Sequence, residues 1–277
     1  MASAAGHESY RESFAAAADK LVAGTASANA GDRARVADEL LSVAALLRAQ
    51  PRLRRALTDP SRSRSDRSEL IVSLIGGKVT TVVVDVMAVL VAGRWSRPAD
   101  LLDATERLGV DAVLAAAENA DALSDVEDEL FRFGQIVSGN PELAITLGDP
   151  GASAGRRVKL VEDLLKGKAQ AATLRLVEVA LEGFGGRGFE SSLTRLVELT
   201  AAKRDREVAY VTVAKPLADA DEQRLADKLS ELYGRQVSLK VDVDPQVIGG
   251  VSVRVGSDLY DGTILRRLNE AKQAFAR

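Results

Sequence analysis

The strongest constraint on this chain is an internal repeat with a period of 90 residues. Laid over residues 128–168 without gaps, residues 38–78 match at 14 of 41 positions, where chance would give roughly 3 for such a composition. The matches keep turn-forming residues in register, among them the Asp-Pro pairs at 59–60 and 149–150 and the glycines Gly77 and Gly167. Much of the chain is therefore predicted to fold as two copies of one structural unit.

Apolar residues inside each copy recur with the period of an amphipathic helix. In the first copy, Val36, Leu40, Val43 and Leu47 form one helical stripe, and Asp32 is the predicted N-cap of that helix. Helices are also predicted over 67–74 and 79–91, and over 126–137, 141–147, 157–165 and 169–181 in the second copy. An unbroken helix over 99–119 is expected to close the first bundle and open the second.

The pattern changes after about residue 206. Residues 208–213, 237–243 and 251–255 are β-branched and alternate apolar with polar positions, which predicts strands. A helix is predicted from Asp219 to Tyr233, ended by Gly234, and a last amphipathic helix over 264–275. The predicted fold is mainly α with a small α+β C-terminal domain: two related helical bundles, then β-α-β-β-α. The expected domains are 1–100, 101–205 and 206–277.

Composition excludes several kinds of chemistry. The chain has no Cys and a single His, His7, so thiolate sites and disulfides are excluded, and a Ser-His-Asp triad would have to use His7. Its formal charge of −3 gives no general signal for polyanion binding. The most apolar run, residues 79–91, is shorter than the about 20 residues that span a bilayer. We therefore expect no catalytic residues, no metal or cofactor, no nucleic-acid partner and no direct membrane insertion.

Three local motifs each have a structural interpretation. Gly183 to Gly188 fit the GxGxxG pattern of dinucleotide sites, but a helix is predicted before them instead of a strand, so a helix–helix loop is favoured. Acidic residues 125–129 stand at a predicted helix start, where they complement the helix dipole. Trp95 is expected to be a packing anchor.

A basic stretch in the first copy has two open interpretations: a solvated face, or a surface for an acidic or phosphate-rich partner. No aromatic residues interleave its cations, so base stacking is unsupported. Its members are Arg52, Arg54, Arg55, Arg62, Arg64 and Arg67.

The C-terminal run from Pro245 to Phe275 carries a family resemblance. It reads PQVIGGVSVRVGSDLYDGTILRRLNEAKQAF and resembles the C-terminal signature of the δ subunit of F-type ATP synthase, the oligomycin sensitivity conferral protein family. The signature positions are Ile248, Gly249, Gly250, Gly256, Asp261, Gly262 and Thr263. The resemblance extends over residues 103–277, and the additional copy over 1–100 is similar to long δ chains of high-GC actinobacteria.

The resemblance implies a stator subunit that performs no chemistry. It implies a peripheral protein at the cytoplasmic face of the cell membrane, whose partners are the α and β subunits of the catalytic head and the b-type stalk subunits. We expect head binding through Tyr10, Phe14, Ala18 and Leu21 and through the corresponding helix over 104–114. The alternative is that Phe14 and Leu21 only pack the core of the bundle. Stalk binding is expected through Ile264, Leu265, Leu268, Lys272 and Phe275.

Two alternatives come from other classes of protein. One is a generic helical adaptor or regulatory scaffold without ATP synthase partners. The other is a nucleotide-dependent enzyme that uses the glycine-rich run at 183–188. Copurification of α, β and b chains would separate the first from a stator subunit, and calorimetric titration with nucleotides would separate the second.

Overall fold

A computed structural model describes residues 2–245, 247, 250–256 and 258–261, with side chains from Ser9 onward except that of Asp261. Its helices are α1 (Ala2–Thr25), α2 (Ala30–Ala49), α3 (Pro51–Thr58), α4 (Arg64–Ile75), α5 (Thr81–Ala92), α6 (Pro98–Asn119), α7 (Leu123–Ser138), α8 (Pro141–Gly148), α9 (Ala154–Leu165), α10 (Ala171–Leu181), α11 (Phe189–Lys203) and α12 (Asp219–Tyr233). The strands are β1 (Arg206–Val213), β2 (Gln236–Val243), β3 (Val251–Val255) and β4 (Asp258–Asp261). The mainly helical fold with a small C-terminal sheet is thus confirmed.

The chain divides into two compact units. Unit 1 comprises Met1–Val126 with Glu142–Ser192, and unit 2 comprises Glu127–Pro141 with Leu193–Arg277. Each unit therefore contains segments that are distant in sequence. The domain boundaries expected from the sequence rest on other features: the repeat for the boundary near 100, and the change to strand-like residues for the one near 205. Both boundaries stay a prediction.

The duplication is visible in the helix boundaries themselves. Helices α3 and α4 begin and end 90 residues before α8 and α9, and α5 begins 90 residues before α10. The turn after α4 has Gly77 at φ 72°, and the turn after α9 has Gly167 at φ 70°. Only glycine adopts this left-handed conformation without steric cost, which explains why both copies keep it.

Helix starts in the first copy are set by short polar side chains. Asn29 caps α2, since its side chain accepts a hydrogen bond from the N–H of Asp32. The prediction of Asp32 as N-cap is therefore wrong by three residues; Asp32 lies in the first turn, where its charge still complements the helix dipole. At α4, Ser63 and Asp66 form a reciprocal capping box.

The core of unit 1 is built around α2 and α6. Leu40 and Leu47 of α2 and Leu101 and Leu108 of α6 are fully buried. Gly109 allows the close approach of the two helices, because a β-carbon there would lie 2.6 Å from Leu41 Cδ2. Helix α6 also packs against α1, α3, α5 and α10, so it serves both copies, as the sequence predicts.

Unit 2 contains a four-stranded sheet in the order β2-β1-β3-β4. Strands β1 and β2 are parallel and joined through α12, whereas β1 with β3 and β3 with β4 are antiparallel. The face of the sheet toward α12 is apolar, with Ala209, Val211, Val213, Val237, Val253 and Val255 around Leu229. Sequence reasoning missed β4, a four-residue strand that follows a tight turn at Gly256, φ 56°. The predicted helix over 264–275 lies outside the described residues.

Candidate protein-binding surfaces

Helix α1 carries the four residues predicted to bind the catalytic head. Leu21 is buried and only 6% exposed, whereas Tyr10, Phe14 and Ala18 are half-buried. The rings of Tyr10 and Phe14 are stacked at 6.1 Å, and Tyr10 meets the edge of Trp95 at 5.6 Å. Burial and then the charge of Asp103 raise the pKa of Tyr10. Three of the four residues therefore keep part of their surface accessible, and Leu21 belongs to the core.

The same helix is locked onto α5 by a small polar contact. Ser13 Oγ accepts a hydrogen bond from the Arg94 N–H at 3.0 Å and donates one to the Ser9 carbonyl. A β-carbon at Gly93 would lie 2.4 Å from that hydroxyl oxygen. Trp95 Nε1 donates to the Leu90 carbonyl at 3.0 Å, as expected of a packing anchor. Helix α1 is thus an integral part of unit 1.

The second proposed head-binding helix, residues 104–114, lies within α6. Its apolar residues Ala104, Leu108, Val110 and Leu114 are 0–1% exposed. In unit 1 these side chains serve the core between helices, so they are not accessible on the described surface.

The glycine-rich run at 183–188 connects two helices. It follows α10, contains a short 3₁₀ turn at Phe184–Gly186 and leads into α11. Gly183, Gly185 and Gly186 have φ of 81°, 60° and 72°, so the run meets a conformational demand that only glycine satisfies easily. The prediction of a helix–helix loop is confirmed, and the strand that a dinucleotide motif needs before it is replaced by a helix.

A buried ion pair anchors this loop to α6. Glu106, whose side chain is 3% exposed, accepts from Arg48 Nη2 at 2.7 Å and from the Gly185 N–H at 2.9 Å. Arg48 also pairs with the partly exposed Glu182 at 3.1 Å. Burial raises the pKa of Glu106, while these hydrogen bonds oppose that change. This one carboxylate thereby joins α6 to α2 and to the loop after α10. Sequence reasoning missed it because its partners are 58 and 79 residues away.

Unit 2 contains a second buried charge cluster. Lys240 Nζ lies 2.8 Å from Glu127 Oε1 and 2.8 Å from Asp128 Oδ1, and Arg204 Nη1 lies 2.6 Å from Glu127 Oε2. The Lys240–Glu127 contact is an ion pair without good hydrogen-bond alignment at Oε1. It joins β2 to the part of α7 in this unit, and Arg204 follows α11. The acidic residues 125–129 therefore include a structural charge, Glu127, beyond their role at a helix start.

The arginines of the basic stretch separate into two groups. Arg67 is buried and donates to the carbonyls of Gly93 and Ala92 at the end of α5. Arg54 donates to the carbonyls of Leu47 and Arg48 at the end of α2. These two cap helix C-termini, where a cation is favourable. Exposed side chains make up the other group, Arg52, Arg55, Arg62 and Arg64.

The C-terminal motif is only partly described. Gly250, at φ 84°, precedes β3, Gly256 forms the turn between β3 and β4, and Asp261 pairs with Ser252 at the end of β4. Ile248, Gly249, Gly262 and Thr263 lie outside the described residues. So do all five predicted stalk-binding residues, Ile264, Leu265, Leu268, Lys272 and Phe275.

Neither metal ligation nor membrane spanning is supported in the described part of the chain. Among those residues, no group of three His, Cys, Asp or Glu side chains is placed to hold a metal ion. No helix in the same residues combines the length and apolarity needed to cross a bilayer.

The family model described as the ATP synthase delta (OSCP) subunit matches residues 22–107 and 110–275. The chain is 58% identical over 267 residues to the ATP synthase subunit delta of Salinispora arenicola. That alignment covers 96% of this chain and 97% of the relative. It is 46% identical over 266 residues to the ATP synthase subunit delta of Streptomyces griseus, at 96% and 98% coverage. Among solved structures, one from the Toxoplasma gondii mitochondrial ATP synthase hexamer aligns with a TM-score of 0.38 and 16% identity, over 61% of this chain and 95% of that one.

Proposed function

Because this chain belongs to the ATP synthase delta (OSCP) subunit family, we propose that it acts at the cytoplasmic face of the cell membrane, with α1 toward the catalytic head and its C-terminal residues toward the stalk. The protein is a non-catalytic subunit of the peripheral stalk of ATP synthase. It links the α subunits of the head to the b subunits, so that rotation is coupled to ATP synthesis. The generic adaptor and the nucleotide-dependent enzyme are set aside.

The observation that carries this function is an alignment that covers 96% of this chain and 97% of a relative, the delta subunit with 58% identity. Both helical copies and the C-terminal sheet are thus part of the family resemblance. A stator must resist torque without yielding, and closely packed interiors transmit strain well. The shared helix α6 and the buried charges of each unit fit that mechanical demand.

The proposed head contact uses the accessible side of α1. Tyr10, Phe14 and Ala18 are half-buried, so a partner helix could cover their remaining apolar surface, while Leu21 supports the helix from the core. Interface anchors are commonly such central apolar and aromatic residues. Removal of α1 would be a poor test, because Ala17 and Leu21 belong to the core of unit 1.

A charge placed in this surface provides a sharper test. We expect Ala18→Arg to weaken binding to the isolated catalytic head by about tenfold or more, since an uncompensated cation would enter an apolar contact. Ala16→Arg is the matched control, because Ala16 is exposed on the same helix. Surface plasmon resonance on immobilised head measures both, with thermal unfolding as a check on the fold. Equal affinities for the two variants would remove this face of α1 from the interface.

Stalk attachment is proposed for the residues after β4. The support is the amphipathic pattern of residues 264–275 together with the family signature before it. Ending the chain after Gly262 is expected to abolish binding to the b subunit while head binding persists, because apolar burial supplies most of such an affinity. Capture of b by the shortened chain at wild-type affinity in high salt would place the attachment elsewhere.

A further inference from the structure

The two copies of the repeat provide a comparison within one molecule. One position with a structural task keeps its residue: Arg67 caps α5, and its equivalent Arg157 donates to the Leu181 carbonyl at the end of α10 at 2.8 Å. Both arginines are nearly buried, at 5% and 7% exposure. Since α3–α4 and α8–α9 have the same boundaries 90 residues apart, their folds make the same demands on side chains.

Five of the six arginines in the basic stretch have no cation at the equivalent position of the second copy. Arg54, which caps α2, is replaced by Ala144. The four exposed ones, Arg52, Arg55, Arg62 and Arg64, are replaced by Glu142, Ile145, Ala152 and Ala154. The second copy forms the same helices without these cations, so the fold does not require them. Their presence in the first copy calls for a reason outside helix formation.

These arginines are also available for a partner. All four are exposed, and among the described residues none forms an ion pair. The nearby carboxylates are already engaged: Asp59 accepts from the N–H and hydroxyl of Ser61, Asp66 from the Ser63 N–H, and Glu69 from Ser65. Hydrogen bonds from Ser61 lower the pKa of Asp59, and the charges of Arg62 and Arg67 add to this, so Asp59 stays ionised within the turn. Arg52 and Arg55 lie one turn apart on α3, while Arg62 and Arg64 flank the start of α4.

We propose that Arg52, Arg55, Arg62 and Arg64, here called the basic corner, form a docking surface for an acidic segment of a protein partner. Guanidinium groups match carboxylates bidentately, which suits a polypeptide rich in Asp and Glu. The exposed residues between 51 and 69 are Pro, Arg, Ser, Asp and Glu, so the corner offers no aromatic or aliphatic side chain for insertion into a lipid layer. The choice of a protein partner rests on the proposed stator function; the electrostatic character of the corner does not.

The test compares two variants of the full chain with equal charge change. The first reverses the basic corner in the variant R52E/R55E/R62E/R64E. The control, R156E/K159E/K166E/K168E, reverses four exposed cations of the second copy. A fluorescent glutamate-rich peptide is titrated with each protein by anisotropy, and the isolated catalytic head is titrated in parallel.

We expect the corner variant to bind the peptide at least about tenfold more weakly than the control, because steering and pairing by four cations are lost. Binding by the wild type should fall steeply between about 50 mM and about 300 mM salt. Equal peptide affinities of the two variants would overturn the proposal. Should the reversed variant unfold, the neutral R52Q/R55Q/R62Q/R64Q variant answers the same question.

Two further arms separate this inference from the stator function. Vesicles of phosphatidylcholine with phosphatidylglycerol replace the peptide, and a corner-dependent affinity for vesicles above that for the peptide would overturn the choice of a protein partner. If the head fails to bind wild type while the peptide distinguishes the variants, the proposed head contact fails and the basic corner stands. If the head binds wild type and the peptide binds both variants equally, the proposed head contact stands and the docking role of the basic corner fails.

Discussion

At the scale of single residues, several charged side chains of the described residues complete helix ends. Arg67 and Arg157 insert between helices and donate to the last carbonyls of α5 and α10. Glu39 performs the opposite task, accepting from the N–H and hydroxyl of Thr80 at the start of α5, both at 2.7 Å. Buried helix ends have carbonyl and N–H groups that need such partners.

Loss of Arg157 should therefore be costly. We expect Arg157→Met to lower the free energy of unfolding by about 2–3 kcal/mol, since the Leu147 and Leu181 carbonyls lose a charged donor in a buried site. Its neighbour Arg156 is exposed, and Arg156→Met should change stability by less than about 0.5 kcal/mol. Urea unfolding followed by circular dichroism measures both; equal small losses would show that the carbonyls find water instead.

Glu39 should make stability depend on pH. Burial tends to raise the pKa of Glu39, but the two hydrogen bonds from Thr80 and the contact with Arg35 lower it overall. A carboxyl with a lower pKa in the folded state stabilises the fold above its unfolded pKa and loses this effect as pH falls through the folded value. The difference in unfolding free energy between wild type and Glu39→Gln should thus shrink from pH 7 to below about pH 4. A difference that is constant with pH would contradict the assignment.

At the scale of elements, α6 has a double role that its sequence only partly reveals. Its length and lack of proline predict one helix between the copies, and the structure places its apolar residues in the core of unit 1. The Glu106 carboxylate then ties α6 to α2 and to the loop at Gly185. Periodicity predicts which residues of a helix are buried, but a charged residue inside the buried stripe breaks the pattern.

Neutralising this carboxylate should loosen the loop. We expect Glu106→Gln to destabilise unit 1 by about 1–3 kcal/mol, because one amide oxygen would replace two carboxylate acceptors and Arg48 would keep only Glu182 as a charged partner. Glu182→Gln is the matched control and should cost about 0–1 kcal/mol, as exposed ion pairs do. Amide hydrogen exchange at Gly185 gives a local readout, since its N–H donates to Glu106. In Glu106→Ala, which leaves no acceptor at this position, unchanged protection of that amide would refute the link.

At the scale of the whole molecule, the compact units cut across the sequence repeat. Unit 2 combines the C-terminal sheet with segments of the second helical copy, and the Lys240–Glu127 pair lies in its interior. Contact between segments so distant in sequence could not be read from local patterns. The change in residue pattern near 205 still predicts a boundary there, at a turn where Asp205 has φ 57°.

Limited proteolysis can test the predicted boundary near 205 and the buried Lys240–Glu127 pair in one experiment. We expect Lys240→Met to speed cleavage near 203–207 relative to wild type, because Glu127 would remain buried with Arg204 alone. Lys228→Met, at an exposed position of α12, should leave the cleavage rate unchanged. The expected product is a C-terminal fragment of about 70 residues, the length that follows the predicted boundary. Cleavage within 208–255 at a similar rate would argue against that boundary.

The sequence by itself determined the duplicated helices, the strands β1 to β3 and the family, because these depend on periodicity, turn residues and a local motif. It missed β4, whose four residues are too few to show a pattern. Only the tertiary structure decided which charges are internal: Arg54 and Arg67 cap helices, while four neighbouring arginines stay exposed. The physical reason is that burial and ion pairing depend on how the helices pack, which no local pattern encodes: Arg67 reaches the Gly93 carbonyl across 26 residues, and Arg48 reaches Glu106 across 58.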